Sequence, residues 1–153
     1  MKPIVRCPTR GVRQRRLAML LSSLPSHPCG DVELEQYSTS GDVAASWLAQ
    51  IAAFGDLNEN SVVVDLGAGN GILGIGAALM GAAQVVLIEV DEKACSAAFE
   101  AIEAVGVENT VEIICKNVDS SVDIAGAGVV ISNPPWGVQK EKADRPFIEL
   151  ILT

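Results

Sequence analysis

The chain is poor in the residues that build metal sites. It has one histidine, His27, and four cysteines, Cys7, Cys29, Cys95 and Cys115, no two of which make a C-x-x-C pair. That set is too thin and too scattered for zinc, so no metal is expected, and the cysteines read as free thiols of a reducing compartment, two of them buried. No apolar run approaches the roughly 20 residues that span a bilayer, so no membrane association is expected. The stretch "MLLSSL" (Met19 to Leu24) is too short for a signal-peptide core, and no cleavage site follows the basic stretch before it. The expected address is the cytoplasm. Internal repeats and low-complexity linkers are missing too. So are acids in the first thirty positions, where Lys2, Arg6, Arg10, Arg13, Arg15 and Arg16 stand without an opposing charge. From Asp31 onward five basic residues face nineteen acidic ones, a formal balance of −14. This divides the chain into a basic arm and helix at 1–30 and a domain at 31–153. A basic arm on an acidic body suits a nucleic-acid contact, although the same charges would also serve a solubilising tail.

What is present is a core-forming composition. Of 153 residues, 49% are hydrophobic and 20% charged, enough for one domain with a buried core. "VRQRRLAMLLSSL" (Val12 to Leu24) predicts a helix closed by Pro25. Val43, Trp47, Ile51 and Phe54 recur at helical spacing within Gly41 to Phe54, with Asp42 as a candidate cap. Short β-branched runs then alternate with helical patterns. Strands are predicted at Ser61 to Leu66, Gln84 to Val90, Thr110 to Cys115 and Gly128 to Asn133. Helices are predicted after Gly71, from Asp91 to the terminating Gly106, and through "DRPFIELIL" with Pro146 in its first turn. Gly71, Gly74, Ala77 and Ala78 would let the first of these sit close on the sheet. Strand–helix alternation with buried strands predicts an α/β fold with a parallel sheet, in which ligands bind outside the carboxyl ends of the strands.

Four strand ends therefore carry the argument: "DLGAGNG", "EVDE", "KNVD" and "NPPW". In the first, Asp65 precedes Gly67, Gly69 and Gly71, which permit a tight turn and close approach of a ligand to backbone ahead of a helix N-terminus. Gly69, Gly71 and Gly74 also satisfy G-x-G-x-x-G, a weak pattern that would equally admit a nicotinamide dinucleotide. Glu89 lies about twenty residues beyond the turn, where an acid can accept from both hydroxyls of a ribose. Asp91 reads as a helix cap. At the third end, Asn117 or Asp119 could hydrogen-bond an adenine edge. The fourth end, Asn133-Pro134-Pro135-Trp136, suits methylation of a planar NH2 group. The lone pair of such a nitrogen is delocalised. Acceptors at the Asn133 side chain and the Pro134 carbonyl would hold its two N–H groups and bring the nitrogen into line with a methyl donor. Trp136 offers a stacking face, and a base in a duplex would have to be flipped out to reach it.

At this point the sequence resembles a known group. "DLGAGNG" is similar to the S-adenosylmethionine loop of Rossmann-like class I methyltransferases, and "NPPW" to their amino-group methyltransferase motif. "LEQYSTSGDVAASWL", "DLGAGNGILGIGAALMGA" and "NPPWGVQKEKADRPF" together resemble the methyltransferase-like proteins that modify adenine N6 in small-subunit ribosomal RNA, archaeal forms especially, over about Leu34 to Ile148. The resemblance implies a three-layer α/β sandwich with a mostly parallel sheet, here lacking the C-terminal strands, since the class usually has seven and four are predicted. It implies S-adenosylmethionine as cofactor. Gln36, Tyr37 and Thr39 would wall its pocket, Asp65, Gly67, Gly69 and Gly71 would hold its methionine part, Glu89 its ribose and Asn117 its adenine, with Asn70, Val90 and Val118 also in the cofactor-binding set. Asn133, Pro134, Pro135 and Trp136 would be the catalytic set. Four positions depart from the family: Glu89 and Asn117 stand where Asp is usual, Ser38 where Pro is usual, and Trp136 where Phe or Tyr is usual. A small zinc-binding activator subunit, adding its sheet to the edge of the third strand, is also implied.

The leading expectation is an S-adenosylmethionine-dependent adenine-N6 methyltransferase acting on RNA, with ribosomal RNA as the expected target. A protein glutamine-N5 methyltransferase faces the same amide problem and stays open. So does a cofactor-binding chain that works only with a partner. A nicotinamide-dependent oxidoreductase leaves "NPPW" unexplained.

Overall fold

Four β-branched runs make the sheet: β1 (Val62–Leu66), β2 (Gln84–Glu89), β3 (Val111–Cys115) and β4 (Val129–Ser132). The computed structural model describes residues 14–26, 39–134 and 141–153. Among these the strands form one all-parallel sheet of order β3-β2-β1-β4. Five helices complete it: α1 (Gln14–Ser22), α2 (Gly41–Ala53), α3 (Ile72–Leu79), α4 (Glu92–Val105) and α5 (Arg145–Ile151). Among the described residues no helix is long and apolar enough to cross a membrane.

Side-chain alternation along the strands splits the core into two layers. Val63, Val85, Leu87, Val111 and Ile131 pack with α1 to α4 on one face. Val64, Leu66 and Ile88 pack on the other with Val118, Val122 and Leu150 of α5. This is the three-layer α/β arrangement expected from the sequence. Helix α1 contributes Leu17, Ala18 and Leu21 to the larger core, while Arg15 and Arg16 face solvent.

Small residues set how close the helices come. A β-carbon on Gly74 of α3 would collide with the Leu87 side chain of β2, and one on Gly41 of α2 would lie 2.6 Å from the Ala18 carbonyl of α1. Both contacts exist because there is no side chain to prevent them.

Three expectations are corrected in detail. Helix α1 ends at Ser22, two residues before the predicted end. Ser23 and Leu24 turn back to the Leu20 and Leu21 carbonyls, tightening the last turn ahead of Pro25. The cap of α2 is Ser40, not Asp42. Ser40 has extended backbone, and its Oγ accepts from Val43 N at 3.3 Å, whereas Asp42 sits inside the first turn. Cys95 and Cys115 are not free thiols but a disulfide, across a Cα–Cα distance of 6.4 Å. Twenty residues separate them in sequence, yet the β2–β3 register places Cys115 opposite Glu89, and Cys95 lies in the first turn of the helix that follows Glu89. Cys7 and Cys29 lie outside the described residues.

Gly74→Ala is expected to destabilise the domain by about 1–3 kcal/mol through overpacking against Leu87, more than the roughly 1 kcal/mol that alanine gains in helix propensity. Urea unfolding of the two proteins measures the difference.

Candidate functional site: two buried carboxylates around a glycine loop

β1 ends in an acid that does not reach water. Asp65 is 1% exposed, and its Oδ2 accepts from Gly74 N at 2.9 Å. The N-cap of α3, Gly71, has no side chain to offer, so Asp65 does the capping from the strand below. The loop between them turns through left-handed backbone at Gly67 (φ 69°) and Gly69 (φ 57°), which L side chains rarely adopt. Gly67 N and Ala68 N both donate to the Ile88 carbonyl, at 2.8 and 3.0 Å, folding the loop back over the end of β2.

That end carries Glu89, 8% exposed. Its Oε2 accepts from Gly69 N at 2.7 Å, and its Oε1 accepts from Val90 N and Asp91 N, both at 2.8 Å. Each carboxylate oxygen has two acceptor sites, and among the described residues Oε2 uses one. Asp65 Oδ1 takes no hydrogen bond from any described residue, which is unusual for a buried oxygen. Burial raises the Asp65 carboxyl to about 7, the Gly74 N–H opposes this, and the nearby Glu89 charge adds to it.

The other predicted residues fall into three groups. Some gather at the same sheet edge. Ser132 of β4 pairs with Leu66 of β1, and its Oγ donates to the Leu66 carbonyl at 2.9 Å. Asn133 and Pro134 therefore follow directly beside the glycine loop. Asn133 Nδ2 donates to Thr39 Oγ1 at 3.0 Å, bringing in a residue 94 positions away. Some have other engagements. Asn70 is buried with its Nδ2 donating to the Pro25 carbonyl at 2.9 Å, which ties the loop to the exit of α1. Val118 is buried in the smaller core, and Val90 is exposed. Asp91 caps α4 through Lys93 N at 2.9 Å, as expected. Asp119 is spent on Ser121, whose N–H and hydroxyl hold its carboxyl below the usual range, leaving Asn117, exposed after β3, as the adenine candidate. Gln36, Tyr37, Pro135 and Trp136 lie outside the described residues.

Phe147 of α5 was missed in the sequence. A β-carbon on Gly67 would meet its ring at 2.9 Å, so the ring walls the glycine loop from the α5 side. The "ADRPF" stretch contained it, but nothing in its spacing marks a helical phenylalanine as a loop contact.

Residues 40–152 match the methyltransferase small domain. The chain belongs to that family. It is similar to the rRNA N(6)-adenosine-methyltransferase METTL5 of Danio rerio, 32% identical over 129 residues covering 78% of this chain and 59% of that protein. An uncharacterised protein of Methanocaldococcus jannaschii, MJ0284, is 35% identical over 92% of this chain and 67% of its own length. Among solved structures, PH1948 of Pyrococcus horikoshii, described there as a candidate RNA methyltransferase, superposes with a TM-score of 0.81 at 36% identity, over 92% of this chain and 67% of that one. The chain thus spans about two thirds or less of these relatives. S-adenosylmethionine is the methyl donor of the family, and a solved neighbour of the same fold holds it.

The raised Asp65 pKa has a stability consequence. Between the unfolded value of 3.8 and the folded value of about 7, the folded chain holds a proton that the unfolded chain has lost. Its contribution is fully present below pH 3.8 and is lost as pH rises through about 7. Asp65→Asn, which keeps an acceptor for Gly74 N, is expected to flatten that slope in urea midpoints measured from pH 5 to 8.

Proposed function

We propose that this domain binds S-adenosylmethionine at the ends of β1, β2 and β3 and transfers its methyl group to the N6 amine of an adenine in RNA, with small-subunit ribosomal RNA as the substrate. The observation that carries the reading is the placement of Asn133 and Pro134 immediately after Ser132, which is hydrogen-bonded to the strand leading into the glycine loop. The similarity to METTL5 supports the choice of nucleotide and RNA.

The residues present fit the cofactor. Asp65 has a buried oxygen without a described partner, and Glu89 has a spare acceptor site beside the loop. Asp65 and the loop backbone would hold the methionine end, Glu89 the ribose and Asn117 the adenine. When bound, S-adenosylmethionine supplies an electrophilic methyl group. The protein's part is positioning. Asn133 Oδ1 and the Pro134 carbonyl accept from the two N–H groups of the target amine, which holds the nitrogen in place and directs its remaining electron density at the methyl group. No general base is needed before transfer, because the methylated nitrogen is strongly acidic and loses its proton to water. Trp136 would stack on the flipped base. β3, at the edge of the sheet among the described residues, would offer its backbone to the activator subunit that the family resemblance implies.

Isothermal titration with S-adenosylmethionine is expected to show binding that Asp65→Ala abolishes. Asn133→Ala is expected to bind the cofactor normally and to lose transfer to unmodified small-subunit rRNA by roughly 100-fold or more, the scale for removing one preorganised hydrogen-bonding group. Full transfer by Asn133→Ala would sink the mechanism.

A further inference from the structure

The hydrogen bond from Asn133 Nδ2 to Thr39 Oγ1, 3.0 Å long, joins two parts of the chain that nothing else in the site explains. We infer that Thr39 is a positioning residue: its hydroxyl fixes which end of the Asn133 amide faces the target amine. The inference rests on the functional reading above and names one more residue on which that reading depends.

The argument is one of donors and acceptors. An exocyclic amine conjugated to a purine only donates, so Asn133 must present its oxygen to it. A free asparagine side chain can turn its amide by half a revolution and present NH2 instead, and two donors facing each other make no bond. Thr39 prevents this when its oxygen accepts from Nδ2. A hydroxyl can also donate, so the threonine alone does not choose the amide orientation. The pair of them with the substrate does, because only one arrangement satisfies all three groups. Thr39 thereby gives the amide nitrogen a partner in the one orientation that presents Oδ1 to the amine.

Both ends of this contact are held. Thr39 immediately precedes Ser40, the N-cap of α2, whose carbonyl accepts from Ala44 N at 2.9 Å and whose Oγ accepts from Val43 N. The next residue, Gly41, is buried against α1, where a β-carbon would lie 2.8 Å from Ser22 N. The start of α2 therefore cannot shift without lifting off α1. On the other side, Asn133 follows Ser132, which is fixed to Leu66 by register and by its own side chain. The contact spans two anchored elements, so it sets a geometry instead of following one.

The test uses the full chain with S-adenosylmethionine and an unmodified small-subunit rRNA transcript. Thr39→Val keeps the shape and removes the acceptor, and Thr39→Ser restores it. Expected for Thr39→Val is a fall in kcat at saturating S-adenosylmethionine of roughly 10- to 100-fold, the scale of a misplaced catalytic group. Thr39→Ser is expected to recover most of the rate. Thr39→Val combined with Asn133→Ala is expected to be no slower than Asn133→Ala alone, because the hydroxyl acts only through the amide. In 15N NMR the Asn133 side-chain NH2 is expected to lose its hydrogen-bonded proton shift in Thr39→Val and keep it in Thr39→Ser. Wild-type kcat in Thr39→Val at saturating S-adenosylmethionine, or an unchanged Asn133 amide signal, would each overturn the inference. The two readings fail separately: an active Asn133→Ala removes the mechanism itself, whereas an inactive Asn133→Ala beside a fully active Thr39→Val removes only the role of Thr39.

Discussion

Burying two carboxylates at one end of a parallel sheet is the constraint around which the rest of the domain is arranged. A carboxyl group taken out of water is costly unless donors meet it. Asp65 is met by the third residue of α3, and Glu89 by three successive features of its surroundings: the glycine loop, Val90 and Asp91. Those donors in turn fix where α3 starts, how the loop folds and where α4 starts. The two acids share a face because strand side chains alternate and the β1–β2 register sets Asp65 beside Leu87. Glu89 is two residues farther along, a rise of about 6.6 Å, so the acids are stepped along the sheet end and flank the loop instead of sharing one point. The loop is glycine because left-handed backbone is what bridges that step.

Close packing passes this geometry outward. α3 can reach the sheet because Gly74 leaves space for Leu87. α2 can reach α3 because Gly76 leaves space for Leu48, and α2 can reach α1 because of Gly41. Side-chain hydrogen bonds then tie the helical layer back to the strand ends, Asn70 to the Pro25 carbonyl and Asn133 to Thr39. The helices ahead of β1 thus do more than cover apolar surface. They supply groups that meet the loop and the fourth strand end from above.

The sheet was legible because its information is local and repetitive. Each of the four β-branched runs became a strand within a residue or two of its predicted limits, and Asp91 and Gly106 became the ends of α4 by ordinary capping chemistry. Glycine-rich turns and acids at strand ends are also local, so Asp65, Glu89 and the loop could be read in sequence order. What could not be read depends on which residues meet across long separations. Ser40 displaced Asp42 as the α2 cap because of a backbone angle at the helix start. Asn70 lies in the loop, but its side chain answers to a carbonyl 45 residues earlier. The pairing of Cys95 with Cys115 required the β2–β3 register, since at a separation of twenty residues the spacing alone does not distinguish a bond from two thiols. Phe147 is a helical apolar residue whose role comes entirely from the face on which α5 packs.

The charge distribution bears on how such a site would be approached. S-adenosylmethionine is cationic at sulfur, and the two acids beside the loop are nearly out of solvent, where salt screens them poorly. On the proposed reading, the body from Asp31 onward, with a formal −14, would oppose an RNA backbone. Phosphates would then have to be met by the basic residues that precede it. Arg15 and Arg16 are exposed on α1, whose opposite face is locked into the core and whose exit is bonded to the glycine loop through Asn70. On the proposed reading, a cationic cofactor at the strand ends and a polyanion at α1 would occupy different parts of the domain. A target adenine would have to bridge them, and that favours a base extended away from its own backbone.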